Sequence, residues 1–188
     1  MRRKSALPPV SSRVIACLAG VVLLGSGVLA RMEHPGRFLL VVAQGGRFLE
    51  AGEGVMQSGA NDCGPAALAH CLRRLGAAAP YPDPESTVAL GTRGCRLDAL
   101  AADAARWGWR ATLRRLPATE VAQVDPPAIV HVREGHFLVL EGFRGDGTVV
   151  FHDPAVGRVA FSRAAWARRW TGHVLEFARS DPEGVVLD

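Results

Sequence analysis

Apolar residues recur at a helical period in the first half of the chain and gather into strand-like runs in the second. In residues 63–75, CGPAALAHCLRRL, Leu68, Cys71, Leu72 and Leu75 fall at helical spacing. Asn61 and Asp62 are N-cap residue types, Pro65 suits a first turn and Gly76 is a natural stop, so a helix is predicted here. Residues 77–94 are rich in Pro, Gly and Ala and read as a loop. A second helix is predicted over 96–107, with Leu97, Leu100, Ala101 and Ala104 on one side and Gly108 ending it.

Beyond Gly108 the period shortens. RATLRRL is a plausible strand, and after Pro126-Pro127 come AIVHV, HFLVLEGF and TVVFHD. Arg133-Glu134-Gly135 and Arg144-Gly145-Asp146-Gly147 join these runs as hairpin connections. A last helix, capped by Ser162, carries Trp166 and Trp170. Helices followed by an antiparallel sheet make an α+β fold.

The chain begins differently. Residues 14–30, VIACLAGVVLLGSGVLA, are uncharged and mostly apolar, and they follow Arg2, Arg3, Lys4 and Arg13. This is the layout of a secretory signal, with Val28 and Ala30 placed for cleavage, or of a short membrane anchor. Both readings put the rest of the chain outside the cytoplasm. Residues 1–30 are thus a signal or anchor, 31–54 a connector with RFLLVVA as a short strand, 55–179 the domain and 180–188 a tail.

Charge and composition narrow the function. The net charge of +4 comes from 22 basic and 18 acidic residues. Four of the basic residues precede the apolar run, which leaves 22 − 4 = 18 against 18 downstream. The domain is therefore near neutral, and nothing in it argues for nucleic-acid binding. There is no GxxxxGK[ST] loop and so no expected ATP site. The cysteines Cys17, Cys63, Cys71 and Cys95 form no CxxC pair and no zinc-type cluster, so no metal or cofactor is expected. Cys71 and Cys95 are either two buried thiols or a disulfide pair of an exported chain.

One cysteine stands apart. Cys63 opens the first predicted helix, where unpaired backbone N–H groups and the macrodipole favour thiolate. Gly64 and Ala66 would leave room for a substrate backbone. Gln57, six residues upstream, could aim its amide at a developing oxyanion together with the Cys63 N–H. His136 opens one strand after a turn, and Asp153 ends the next, so the two can meet at one end of the sheet. His152 points the opposite way by strand alternation. His131 lies mid-strand and reads as structural, while His70 and His173 have no evident partners. The four tryptophans read as core, and Arg114-Arg115 and Arg168-Arg169 as solvated faces.

Three blocks, QSGANDCGPA (57–66), GHFLVL (135–140) and DPAVG (153–157), together with Trp170-Thr171-Gly172, resemble the bacteriocin-processing, double-glycine leader peptidases. The resemblance covers roughly residues 55–178. It implies a papain-like fold, with Cys63 as nucleophile, His136 as base, Asp153 as its orienter and Gln57 in the oxyanion hole. It also implies a leader-bearing peptide or protein substrate, cut after a small pair such as Gly-Gly. The relatives are usually fused to a peptide exporter, so here either a separate peptide exporter supplies the substrate or the substrate is something else. The N-terminal segment would supply contact with a membrane. Transfer of the acyl group to an amine, and leader binding without catalysis, stay open as alternatives.

Overall fold

The computed structural model describes residues 34–50 and 52–180. The signal or anchor reading, Cys17 and the tail from 181 onward lie outside the described residues. Among those described, no helix is long and apolar enough to cross a membrane.

Seven antiparallel strands form one sheet: β1 (Gly46–Phe48), β2 (Trp109–Arg115), β3 (Ala128–Val132), β4 (His136–Phe143), β5 (Val149–Asp153), β6 (Gly157–Phe161) and β7 (Trp170–Arg179). Their order is β1-β6-β5-β4-β3-β7-β2. The helices are α1 (Pro35–Ala43), α2 (Cys63–Arg74), α3 (Leu97–Ala105) and α4 (Arg163–Arg169), with a 3-10 turn at Ala118–Gln123.

The central strands are buried on both faces, which is why β4 reads as a continuous apolar run rather than an alternation. Phe137 and Val139 face Leu68, Cys71 and Leu72 of α2 and Leu100 of α3. Leu138 and Leu140 face the opposite core with Phe151, Phe161, Trp166 and Trp170. The helices-then-sheet expectation holds, and α2, α3 and the three-strand meander fall where the sequence puts them.

Four local expectations need correction. RFLLVVA is helical, not a strand: it lies within α1. A short unbroken apolar run does not distinguish the two by period, whereas Pro35 at the start and Gly45, at φ 77°, are helix boundary signals. Trp170 is not in the last helix; it opens β7, and its indole Nε1 donates to the Leu116 carbonyl at 2.6 Å. Asp62 does not cap α2 with its side chain. Its carboxylate instead accepts from the Ser58 and Gly59 amides at 3.2 and 3.0 Å and from the Tyr81 hydroxyl at 2.6 Å. Arg169 is not solvated. It is 2% exposed, four residues beyond the buried Ala165 on one helix face, and 4.3 Å from the Phe161 ring centroid.

Candidate active site

Cys63, His136 and Asp153 each occupy the terminal residue of an element. Cys63 is the first residue of α2, His136 the first of β4 and Asp153 the last of β5. The β4–β5 register pairs Val139 with His152 and Leu140 with Phe151. Continued by one pair, it sets Asp153 opposite Leu138, two residues from His136. Such diagonal neighbours are within reach of long side chains. His136 Nε2 donates to Asp153 Oδ1 at 2.7 Å, which leaves Nδ1 for the thiol. The His136 imidazole and the Phe137 N–H are the groups that bear on the Cys63 thiol and lower its pKa.

The electrostatics follow from this line of contacts. Burial opposes ionisation of the Cys63 thiol, but the His136 hydrogen bond and charge, with the Phe137 N–H, outweigh it and lower its pKa. For His136, burial disfavours the imidazolium, while the bonds to Asp153 and Cys63 prevail and raise its pKa. The fully buried Asp153 carboxylate is held far below the usual range: His136, the Arg37 charge and the Ala155 N–H overcome desolvation. Both shifts favour thiolate beside imidazolium. The other described thiols move the other way. Burial pushes Cys71 well up, and burial with the neighbouring Cys63 charge pushes Cys95 up to about 12. Cys63, Cys71 and Cys95 are all free thiols, so Cys71 and Cys95 are not a disulfide pair.

Gln57 is buried on the loop that feeds α2. Its backbone N–H donates to the Pro154 carbonyl at 2.8 Å, tying this loop to the residue after Asp153. Its side-chain Nε2 donates to the Gly59 carbonyl at 2.6 Å, which leaves its second N–H free, and Oε1 is buried without a partner.

The small residues of this loop divide into two kinds. Gly59 and Ala60 are exposed, whereas Gly64 and Ala66 face inward. A Cβ on Gly64 would stand 2.3 Å from Cys95 Sγ and 3.3 Å from Phe137, so its size serves packing rather than access for a substrate. A groove of about 340 Å³ adjoins Phe137, lined also by Cys95, Leu97, Leu113, His131 and His173.

His152 points away from the site, as alternation requires, and its Nε2 contacts the Val55 carbonyl at 2.8 Å. His70 does have partners. It stacks on His152 with centroids 4.2 Å apart, and its Nε2 lies 3.4 Å from Glu141 Oε1. His173 also has one, since its Nδ1 lies 3.3 Å from Thr171 Oγ1. Sequence reasoning missed Arg37, whose Nε donates to Asp153 Oδ2 at 2.8 Å. It also missed the pair of Arg169 with Glu134 at 3.2 Å. Among the described residues, no group of three or more His, Cys, Asp or Glu is placed to hold a metal.

The model of the Peptidase C39 family matches residues 53–182, a stretch that holds all four of Gln57, Cys63, His136 and Asp153. The chain belongs to the peptidase C39 family. It is a cysteine peptidase of papain-like fold. An uncharacterized protein of Methanothermobacter thermautotrophicus is 33% identical over 128 residues, covering 66% of this peptidase and 87% of that protein. Among solved structures, a double glycine motif protease from an AMS/PCAT transporter, in complex with its leader peptide, superposes with a TM-score of 0.64. It is 27% identical and covers 68% of this chain and 91% of its own. The peptidase domain of Streptococcus ComA, a bi-functional ABC transporter, shares the fold with a TM-score of 0.56 at 22% identity, covering 66% of this chain and 96% of its own.

Proposed function

We propose that this peptidase cleaves after a double-glycine-type leader, with Cys63 as nucleophile, His136 as general base and acid, Asp153 as orienter and Gln57 as oxyanion donor. The observation that carries the reading is the His136–Asp153 bond at 2.7 Å, with His136 in turn lowering the pKa of the Cys63 thiol at the start of α2. Thiolate attack on the scissile carbonyl forms a C–S bond and a tetrahedral oxyanion. The oxyanion faces the Cys63 N–H at the positive end of α2 and the free N–H of Gln57. Imidazolium then protonates the leaving amine as the C–N bond breaks. Neutral His136 next takes a proton from water, which hydrolyses the thioester and releases the leader. Asp153 stays ionised and keeps the tautomer with Nε2–H.

The leader specificity rests on the likeness to the transporter protease that was solved with its leader peptide. Exposed Gly59 and Ala60 let the loop backbone approach the last two leader residues, and the apolar groove beside Phe137 accommodates leader side chains farther from the cut. A leader series varied only at those last two positions tests this through kcat/KM. Gly to Ala is tolerated at some cost, whereas Val or Leu clashes, a discrimination beyond the ~1–3 kcal/mol of one methylene contact. A flat profile, or a preference for large residues, overturns the reading. Product masses separate hydrolysis from transfer to an amine.

Independently of the leader reading, the N-terminal charge pattern puts residues 31–188 outside the cytoplasm, because the excess positive charge precedes the apolar run. There either a separate exporter delivers the substrate or the substrate is of another kind. C-terminal reporter fusions decide this, and activity of a reporter that works only in the cytoplasm refutes export.

A further inference from the structure

Helix α1 lies before the stretch matched by the family, residues 53–182, yet its Arg37 reaches the carboxylate at the end of the catalytic line. The two oxygens of Asp153 are held differently. Oδ1 accepts from His136 Nε2 at 2.7 Å and from the Ala155 N–H at 2.9 Å. Oδ2 accepts from Arg37 Nε at 2.8 Å, its one hydrogen bond among the described residues. The contact is sheltered, with the Arg37 side chain 9% exposed and that of Asp153 fully buried. A carboxylate anchored by one oxygen can swing about its Cβ–Cγ bond. Held at both oxygens, it cannot, and the imidazole plane that it orients is then defined as well.

We propose that Arg37 is a positioning residue of the peptidase site: by clamping Oδ2 of Asp153 it fixes the carboxylate that orients His136, and so makes the segment before the family domain part of the catalytic apparatus. This rests on the Cys63–His136–Asp153 reading.

The clamp has an electrostatic counterpart. His136 is faced by Asp153 from β5, Cys63 from α2 and Arg37 from α1, with His131 of β3 also near enough to interact. Behind Arg37 stand Arg169 of α4 and Glu134 of the β3–β4 turn. Arg37 is a cation opposing the imidazolium. Its removal eliminates that opposition, so His136 keeps its proton to higher pH even as its orientation loosens.

The test uses the full chain, and its first readout, thiol alkylation, needs no substrate. The rate of Cys63 alkylation by iodoacetamide, mapped by peptide mass spectrometry against pH, has a first inflection where the thiol ionises. A second appears where the imidazolium loses its proton, and His136→Ala identifies it by abolishing it. Arg37→Gln is expected to move the second inflection up by about 0.5–1 pH unit, the scale of one nearby charge. It should also lower kcat on a cleaved leader peptide about tenfold at unchanged KM. Arg37→Lys keeps the cation and returns the inflection to its original place, with kcat reduced about threefold for want of the planar donor. An unmoved inflection in a normally melting Arg37→Gln overturns the proposal, even if activity falls. Should Arg37→Gln fail to fold, the kcat of Arg37→Lys decides: a reduction at unchanged KM and melting temperature supports the clamp, and a value equal to that of the unaltered protein overturns it. An unaltered protein with no His136-dependent inflection would instead refute the thiol–imidazole reading itself.

Discussion

His136 Nε2 lies 2.7 Å from Asp153 Oδ1, although the two residues sit on different strands and do not face each other in the ladder. The contact is diagonal, one step past the Val139–His152 pair of β4 and β5, at the end of the two strands. There both side chains can turn toward Cys63 without entering the core on either face.

Cys63→Ala should reduce peptide cleavage to background, because no other described thiol or hydroxyl takes its place beside His136. The fold should persist, since only one sulfur is removed from a small buried site. Circular dichroism and a cleavage assay on the same sample check this. Full activity in the variant would remove Cys63 from the mechanism.

Cys63 should alkylate fastest of the three described thiols. Its pKa lies below the ordinary 9.0, while burial pushes Cys71 well above that and Cys95 up to about 12. Because the thiol pKa is lowered and the His136 pKa raised above 6.5, reactivity should rise at a lower pH than for a free thiol. In His136→Ala that onset should move to higher pH. Faster labelling of Cys71 or Cys95 in the folded protein would contradict this.

Gln57→Ala should lower kcat by about 10²–10³ with little change in KM, the loss of one oxyanion donor. Its thermal stability should change little, because the backbone bond to Pro154 that holds the loop survives the substitution. An unchanged kcat would assign the residue to loop structure alone.

Gly64→Ala should destabilise the fold by about 1–3 kcal/mol through overpacking, since the new methyl would meet Cys95 Sγ at 2.3 Å. Cys95→Ala in the same chain should recover part of that loss. Urea unfolding of the two single variants and the double variant measures the coupling. A neutral Gly64→Ala would show that Cys95 moves aside at no cost.

Glu134→Ala should cost about 3 kcal/mol, because it leaves the nearly buried Arg169 guanidinium without its carboxylate. Arg169→Met should cost less, since it removes the buried charge and keeps apolar volume against Phe161. The reverse order in denaturant unfolding would mean that the pair is not what holds Arg169 inside.

By itself the sequence determined the α+β order, the α2 helix with Cys63 at its start, the β3–β4–β5 meander, and the strand-end places of His136 and Asp153. Each of these depends on local period, turn chemistry and strand alternation, which neighbouring residues specify. It could not reveal the partners that meet only after the sheet closes. Arg37 is 116 residues from Asp153, and the run around it reads equally as strand or helix. Strand β7 carries Gly172 and His173 and has little alternation of its own; it exists because β3 and β2 flank it on either side. Asp62 has the composition of a cap, but Tyr81, brought in by a distant loop, joins the Ser58 and Gly59 amides on its carboxylate. Tertiary structure decided these cases because a buried charge or polar group takes whichever partner the packing brings within hydrogen-bond reach, and that partner has no fixed spacing along the chain.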